Sequence, residues 1–220
     1  MTDFILLPPD APIPFPAEET GLTAAVWQDA SLRDALQECR IYQYGSGVLS
    51  VCGQRGVLSG GLPDEASLRD FAARMGLTRL LRADEAGEGQ MLCAIGGGGG
   101  AFPPAADLRK AHAALCEVWG GEIPSFEDYY WRQMLERRRG ISEVYTLDGA
   151  FAALVTAPFS NRLHSVVTPA ALRGNGAATR LCRAILAAAV GPVWVECEPS
   201  LVGFYENCGF TPAKRYTDRI

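Results

Sequence analysis

Read for alternation and helical spacing, the chain falls into two runs of elements with a glycine-rich stretch between them. In the first run, Ser31, Leu32, Leu36 and Cys39 recur in rough helical period and predict a short helix over 29–39. Three short apolar stretches, 41–44, 48–52 and 56–58, are joined by glycine-containing turns and read as strands. Residues 63–75 predict a helix. Acidic residues open it, Leu68, Phe71 and Ala72 share one face, and Gly76 stands just past its end. A fourth strand is predicted over 78–82.

The second run begins with a candidate strand over 91–95. A helix follows over 106–118, with Leu108, Ala111, Leu115 and Val118 turned inward, and another over 126–138, opened by Ser125 with Asp128 three residues on. Strands over 141–147 and 150–157 pair about Asp148-Gly149, a strong two-residue turn signal. Residues 163–168 form a β-branched strand stopped by Pro169. Residues 177–190 hold no Gly or Pro, and Leu181, Ile185 and Leu186 fall at helical spacing. A strand over 193–198, a short helix over 200–208 and a closing strand over 214–219 complete the run.

Between the runs, 96–100 is an unbroken stretch of five glycines, whose backbone entropy predicts a flexible linker, a lid over substrate, or both. The boundary is placed near Gly89, giving halves of 1–88 and 89–220. The order strand, strand, strand, helix, strand occurs in both. The first half therefore reads either as a degenerate copy of the second or as an unrelated small α/β domain.

At 220 residues and 48% hydrophobic, the chain can bury a sizeable core in one or two domains. No stretch is long and uncharged enough to span a membrane, and 1–16 has no basic start and is broken by prolines, unlike a signal peptide. The seven cysteines show no C-x-x-C pairs or histidines at ligand spacing. Buried free thiols in a cytoplasmic protein without a metal are the expectation. Residues 1–90 carry net −6 and residues 91–220 net +1, which make up the total of −5. The second half is thus the better host for an anion. The one basic cluster, Arg137-Arg138-Arg139, ends a helix, where cations complement the dipole, and gives no sign of nucleic-acid binding.

Candidate chemistry centres on Arg173-Gly174-Asn175-Gly176-Ala177-Ala178, where a strand turns into a helix. A helix start offers unpaired N–H groups and the positive end of its dipole, and two glycines let a diphosphate approach those amides closely. A tight turn whose glycines only satisfy backbone angles is the plain alternative. A Walker A loop is ruled out because Ala177-Ala178 stand where Lys and Ser or Thr are needed. A dinucleotide fingerprint fails because position 179 is Thr.

Arg173-x-x-Gly176-x-Ala178 resembles the R-x-x-G-x-G/A signature of the GNAT acyltransferases, and the run Val167 to Gly174 resembles wording common in bacterial members. Further on, Phe204-Tyr205-Glu206-Asn207-Cys208-Gly209-Phe210 resembles their F-Y-x-x-x-G-F block. The resemblance covers roughly 91–220. It implies an α/β (α+β) fold with a mixed central sheet flanked by helices, and acetyl-CoA as cosubstrate. The pyrophosphate would lie on Arg173, Gly174, Asn175, Gly176, Ala177 and Ala178. Pantetheine would pair with the backbone of Val166, Val167 and Thr168, where the strand splays from its neighbour.

The same resemblance makes Tyr205 the general acid and places the first two helices at the acceptor pocket, with Phe126, Tyr129, Tyr130 and Trp131 partly lining it and about half of those rings in the core. A phenol of pKa about 10 can protonate a leaving thiolate at little cost. Three strand residues are candidates for the base, Glu196, Glu143 and His164, and a water chain to solvent is an equal alternative. Alternation puts His164 on the face of Val166 and Thr168, although a lone strand histidine is more often a hydrogen-bonded core residue. Where family members often keep an Asn before the tyrosine helix, this chain has Glu198-Pro199-Ser200.

Three readings follow. The first is acetyl transfer to a small-molecule or peptide amine. The second is a catalytically silent GNAT-fold module that binds acyl-CoA or a protein. The third is an unrelated nucleotide-phosphate enzyme. Two halves in one chain favour a monomer or a weak homodimer.

Overall fold

The computed structural model describes residues 4–16, 20–36, 38–61 and 63–220. The first three residues, and Gln37 and Leu62 within the segments read above, lie outside that set. Contacts divide the chain into two units, Met1–Met91 with Lys214–Ile220, and Leu92–Ala213.

In the first unit, strand β1 (Ile5–Leu6) is followed by helix α1 (Gly21–Ala30), strands β2 (Cys39–Tyr44), β3 (Gly47–Cys52) and β4 (Arg55–Ser59), helix α2 (Glu65–Met75) and strand β5 (Arg79–Ala83). The sheet order is β1-β2-β3-β4-β5, continued by the end of the C-terminal strand β11 (Thr211–Thr217), which lies antiparallel to β5 at Tyr216↔Ala83 and Thr217↔Arg82. Strands β2, β3 and β4 form an antiparallel meander, and α2 carries the chain over to β5, parallel to β4. Asp64 caps α2 by accepting from Ser67 N–H, and Gly76 ends the helix at φ 64°.

Two expectations for this unit fail. The first helix spans 21–30 rather than 29–39. Thr20 and Thr23 close a reciprocal cap at its start, and nearly every position is buried, so no amphipathic period marks it. Its buried polar groups are met from the sheet: Thr23 Oγ1 by Ser59 Oγ at 2.7 Å, Asp29 Oδ2 by a donated Ser50 hydroxyl at 2.8 Å. Cys39 and Cys52 are not free thiols. Antiparallel register sets them opposite each other on β2 and β3, with Cα atoms 4.3 Å apart, and they form a disulfide.

The second unit runs from strand β6 (Gly89–Gly97) through helices α3 (Leu108–Trp119) and α4 (Phe126–Arg138), strands β7 (Ser142–Leu147), β8 (Ala150–Thr156) and β9 (Asn161–Val167), helix α5 (Ala177–Ala188), strand β10 (Val190–Cys197) and helix α6 (Val202–Cys208) to the start of β11. Its strands lie in the order β6-β10-β9-β8-β7. β7, β8 and β9 are antiparallel, and β9 and β10 are parallel across α5, the same connectivity as the meander and crossover of the first unit. The β7–β8 turn uses Asp148 at φ 51° and Gly149 at φ 80°, as two-residue hairpins require.

Helices cover both faces of this mixed sheet. On one face, Ala177, Leu181, Cys182 and Ile185 of α5 pack with Tyr205 and Cys208 of α6 on Leu92, Leu154, Leu163, Val193 and Val195. On the other, Leu108, Ala111, Ala114 and Leu115 of α3 pack on Val144, Phe151, Ala153 and Val167.

The five glycines are neither linker nor lid. Gly96 and Gly97 end β6, and the amides of Gly98, Gly99 and Gly100 donate to the carbonyls of Ala189, Ala187 and Ala187 at 2.9–3.2 Å, closing the C-terminal end of α5. The glycines serve approach rather than freedom: a Cβ on Gly96 would lie 2.3 Å from the Ala189 carbonyl oxygen.

Candidate functional site

The site grows from irregularities in β9. Opposite β8, Ala153 faces His164 while Phe151 faces Val167, so β9 holds one residue too many. Ser165 absorbs it at φ 53°, an uncommon value for a side chain. The bulge resets the alternation. His164, Ser165 and Val167 face α3 and α4, whereas Leu163 and Val166 face α5 and α6. The expected grouping of His164 with Val166 is therefore wrong, because simple alternation does not survive an inserted residue.

Toward β10, registered pairing covers Asn161↔Val193 and Arg162↔Trp194 only, although β9 continues to Val167 and β10 to Cys197. Asn161 Nδ2 pins the root of this fork by donating to the carbonyls of Val190 (2.8 Å) and Pro192 (3.2 Å). Beyond it, Thr168 Oγ1, Trp194 Nε1 and Glu196 Oε1 are buried without a hydrogen-bond partner. Buried polar atoms of that kind call for a reason, and a fork that takes a polar ligand chain supplies one.

Past Thr168 the chain makes a tight turn at Ala170–Leu172 and enters the glycine loop. Gly174 sits at φ 79° and Gly176, the N-cap of α5, at φ 70°, and no side chain caps the helix. The first-turn amides of α5 thus meet no capping oxygen and project with the positive end of the dipole. Ala177 is buried and Ala178 packs against the same core, so both offer main chain only. Arg173 Nε donates to the Thr168 carbonyl at 3.0 Å and folds the loop back on the strand end. Arg180, one turn into the helix, donates from Nη1 to the Asn175 carbonyl and from Nε to Asp148 Oδ2, both at 2.7 Å. This cation beside the loop escaped the sequence reading, because only the helix places it there.

Tyr205 on α6 is 6% exposed and packs in the α5–α6 core, edge-on to Phe204 and Phe210. Burial, then the thiols of Cys182, Cys197 and Cys208 and the Glu196 carboxylate, push its phenol well above the usual range. The Cys197 thiol is raised to about 11, by burial and then by Glu196 and Glu198. Cys208 is lowered, chiefly because it accepts from the Cys182 thiol, with Thr179 and Arg183 helping.

Glu196 lies on the opposite face of β10, its side chain 7% exposed, with Oε2 accepting from Arg162 Nε at 2.9 Å. The sequence reading missed Arg162, whose pairing depends on β9–β10 register. Glu143 is on the edge strand β7, bound by Arg137 Nε (3.0 Å) and Nη2 (2.5 Å).

A narrow pocket opens between α3, α4 and the bulge, walled by Leu115, Val144, Phe151, Ala153 and Val167, with Tyr129, Gln133, His164 and Ser165 as its polar groups. Of the four aromatic residues expected near the acceptor, only Tyr129 lines it. Tyr130 is partly exposed, Trp131 is 62% exposed, and Phe126 stacks under the Arg109 guanidinium at 4.3 Å, so these rings are not core. Among the described residues, Asp29, Cys39 and Cys52 bring ligand atoms within 4.8 Å, but both sulfurs are spent in the disulfide.

A forked pair of parallel strands, a glycine-cornered helix start at the fork's mouth and a second short helix packed beside it define the GNAT class of fold. Residues 107–210, within the second unit, match the model of the Acetyltransferase (GNAT) family, whose members use acetyl-CoA as cosubstrate. Among solved structures, a GCN5-related N-acetyltransferase from Sphaerobacter thermophilus is similar over 97% of this chain and 93% of its own, at 16% identity and TM-score 0.55. A GNAT-family protein from Novosphingobium aromaticivorans is similar over 91% and 97%, at 17% identity and TM-score 0.56. A tandem GNAT protein from the clavulanic acid biosynthesis pathway is similar over 98% and 97%, at 13% identity and TM-score 0.52. No curated protein sequence matches the chain.

Proposed function

We propose that the protein is an N-acyltransferase that moves the acetyl group of acetyl-CoA to an amine by direct attack. The observation that carries this reading is the uncapped first turn of α5, behind two left-handed glycines at the mouth of the β9–β10 fork. The amides of Gly174 to Ala178 would hold the diphosphate, with Arg173 and Arg180 alongside as cations. Pantetheine would run in the fork against the main chain of Val166, Val167 and Thr168. A main-chain N–H past the bulge would then polarise the thioester carbonyl.

In the transfer itself, the amine nitrogen bonds to the thioester carbon, and collapse of the adduct breaks the C–S bond. The amine's surplus proton passes to Glu196, directly or through water, and the leaving thiolate takes the Tyr205 proton. Glu196 is preferred to Glu143 because Arg162 fixes one of its oxygens while the other is buried and unpaired. Glu143 is gripped by Arg137 on the edge strand. We assign the first unit no CoA, as a degenerate copy, since the Asp64 carboxylate already occupies the start of α2.

Isothermal titration with acetyl-CoA, together with thiol release in the presence of amines, tests the reading. Tyr205→Phe is expected to lower kcat by about 10²–10⁴-fold and leave acetyl-CoA affinity within about twofold. Equal losses in both would remove Tyr205 from the acid role. A silent acyl-CoA-binding module is the second reading, favoured by the hold of Arg162 on Glu196. Binding without turnover on any amine would establish it.

A further inference from the structure

We infer that Asp148, at the tip of the β7–β8 hairpin, is a positioning residue for coenzyme A. It keeps Arg180 on the glycine loop, and Arg180 in turn aims the Gly176 N–H at the diphosphate. This rests on the acyl-transfer reading of the same unit and goes further by naming what sets the loop's geometry from outside it.

Arg180 holds both carbonyls that flank the Gly176 α-carbon. Its side-chain Nη1 donates to the Asn175 carbonyl at 2.7 Å, and its main-chain N–H donates to the Gly176 carbonyl at 3.0 Å. Two peptide planes meet at Gly176, and holding both fixes its left-handed conformation, φ 70° and ψ 11°. In a trans peptide the carbonyl and the following N–H point opposite ways. With the Asn175 carbonyl drawn toward Arg180, the Gly176 N–H is turned away from it, toward the side where an anion can meet it. A Cβ on Gly176 would lie 3.2 Å from Arg180 Nη1, so the glycine also lets the guanidinium come close.

A long, half-exposed arginine loses much rotamer freedom by keeping one pose. Asp148 supplies the second hold: its Oδ2 accepts from Arg180 Nε at 2.7 Å. The hairpin tip reaches the other end of the loop as well, since a Cβ on Gly149 would lie 2.3 Å from Leu172 Cδ1. The tip therefore braces the loop from both sides, at Leu172 before it and at Arg180 after it. The side chains of Arg180 and Asp148 are 51% and 49% exposed, and an ion pair so exposed adds little to stability. What it changes is the direction of the loop's main chain.

Charge and position predict opposite signs. Were Asp148 only a negative charge near a polyanion, its removal would tighten acetyl-CoA binding. The positioning role predicts weaker binding. The test is isothermal titration of acetyl-CoA into the wild-type protein and into Asp148→Gly, Asp148→Asn and Arg180→Lys. Glycine accepts the positive φ of the turn, and Asp148→Gly is expected to raise Kd about 10-fold. Asp148→Asn keeps an oxygen for Arg180 Nε and should recover most of that loss. Arg180→Lys keeps the charge without the planar fork that spans two acceptors, and should raise Kd by about 10-fold as well. That variant carries the test should Asp148→Gly not fold.

An unchanged or lower Kd in Asp148→Gly would overturn the positioning role and leave acyl transfer intact. So would no recovery in Asp148→Asn, or wild-type affinity in Arg180→Lys. Absence of acetyl-CoA binding to the wild-type protein would overturn both readings.

Discussion

A phenol buried among three thiols, with a carboxylate on the far face of the neighbouring strand, keeps its proton into alkali, and this has consequences at the level of single residues. Tyr205 and Tyr129 are both raised in the fold, chiefly by burial. In the unfolded chain each titrates near pH 10. Below that pH, folded and unfolded states bind the same protons and stability is flat. Above it the unfolded state releases protons that the folded state keeps, so stability falls by up to about 1.4 kcal/mol per pH unit for each tyrosine. Urea midpoints between pH 8 and 11.5 should show this break near pH 10, and Tyr205→Phe should reduce the slope beyond it. An unchanged slope in that variant would mean that Tyr205 titrates normally. The positions of Tyr205 on α6 and of the glycines at the start of α5 were legible in the sequence because both sit in local motifs. Arg162 and the Ser165 bulge were not, since both arise from register between strands, which no local pattern records.

Among the elements, α5 is closed at one end and left open at the other, and glycine serves both ends for different reasons. At its start, left-handed glycines leave the first amides without a capping side chain. At its finish, the glycine run presses main chain onto its last carbonyls. Gly96→Ala should cost about 1–3 kcal/mol by overpacking against the Ala189 carbonyl. Gly99→Ala, with nothing within 4 Å of its added carbon, should change stability by no more than about 0.5 kcal/mol. Thermal melts of the pair check this, and two neutral outcomes would restore a flexible linker. Composition suggested flexibility here because five glycines look alike whether they move or pack. The fully buried α1 escaped notice for the complementary reason: with no polar face it has no helical period to read. Amphipathic elements such as α3 and α5, and strands bounded by turn residues, were read to within a few residues.

At the scale of the whole molecule, the chain is not divided at one point. Lys214–Ile220 belongs with the first unit, where β11 lies beside β5 and the amides of Leu80 and Asp84 donate to the carbonyls of Asp218 (3.2 Å) and Arg215 (3.1 Å). Deleting 214–220 should therefore raise amide exchange at Leu80 and Asp84 to near that of exposed backbone, while the α5 interior around Leu181 keeps its protection. Loss of protection at Leu181 alone would contradict the division. A linear reading cuts a sequence once and so could not assign this last segment. The repeated order of strands and helix could be read from the sequence, whereas the opposed cysteines of β2 and β3 became a pair only once register was known.

The claim beneath all of this is that the start of α5, and not the start of α2, takes the diphosphate of coenzyme A. Titrating the ¹⁵N-labelled protein with CoA and following its amide resonances tests it most directly. The expected result is saturable shifts at Gly174, Gly176, Ala177 and Ala178, with Gly60, Gly61 and Glu65 unmoved. Shifts at the latter set, or none at either, would contradict it.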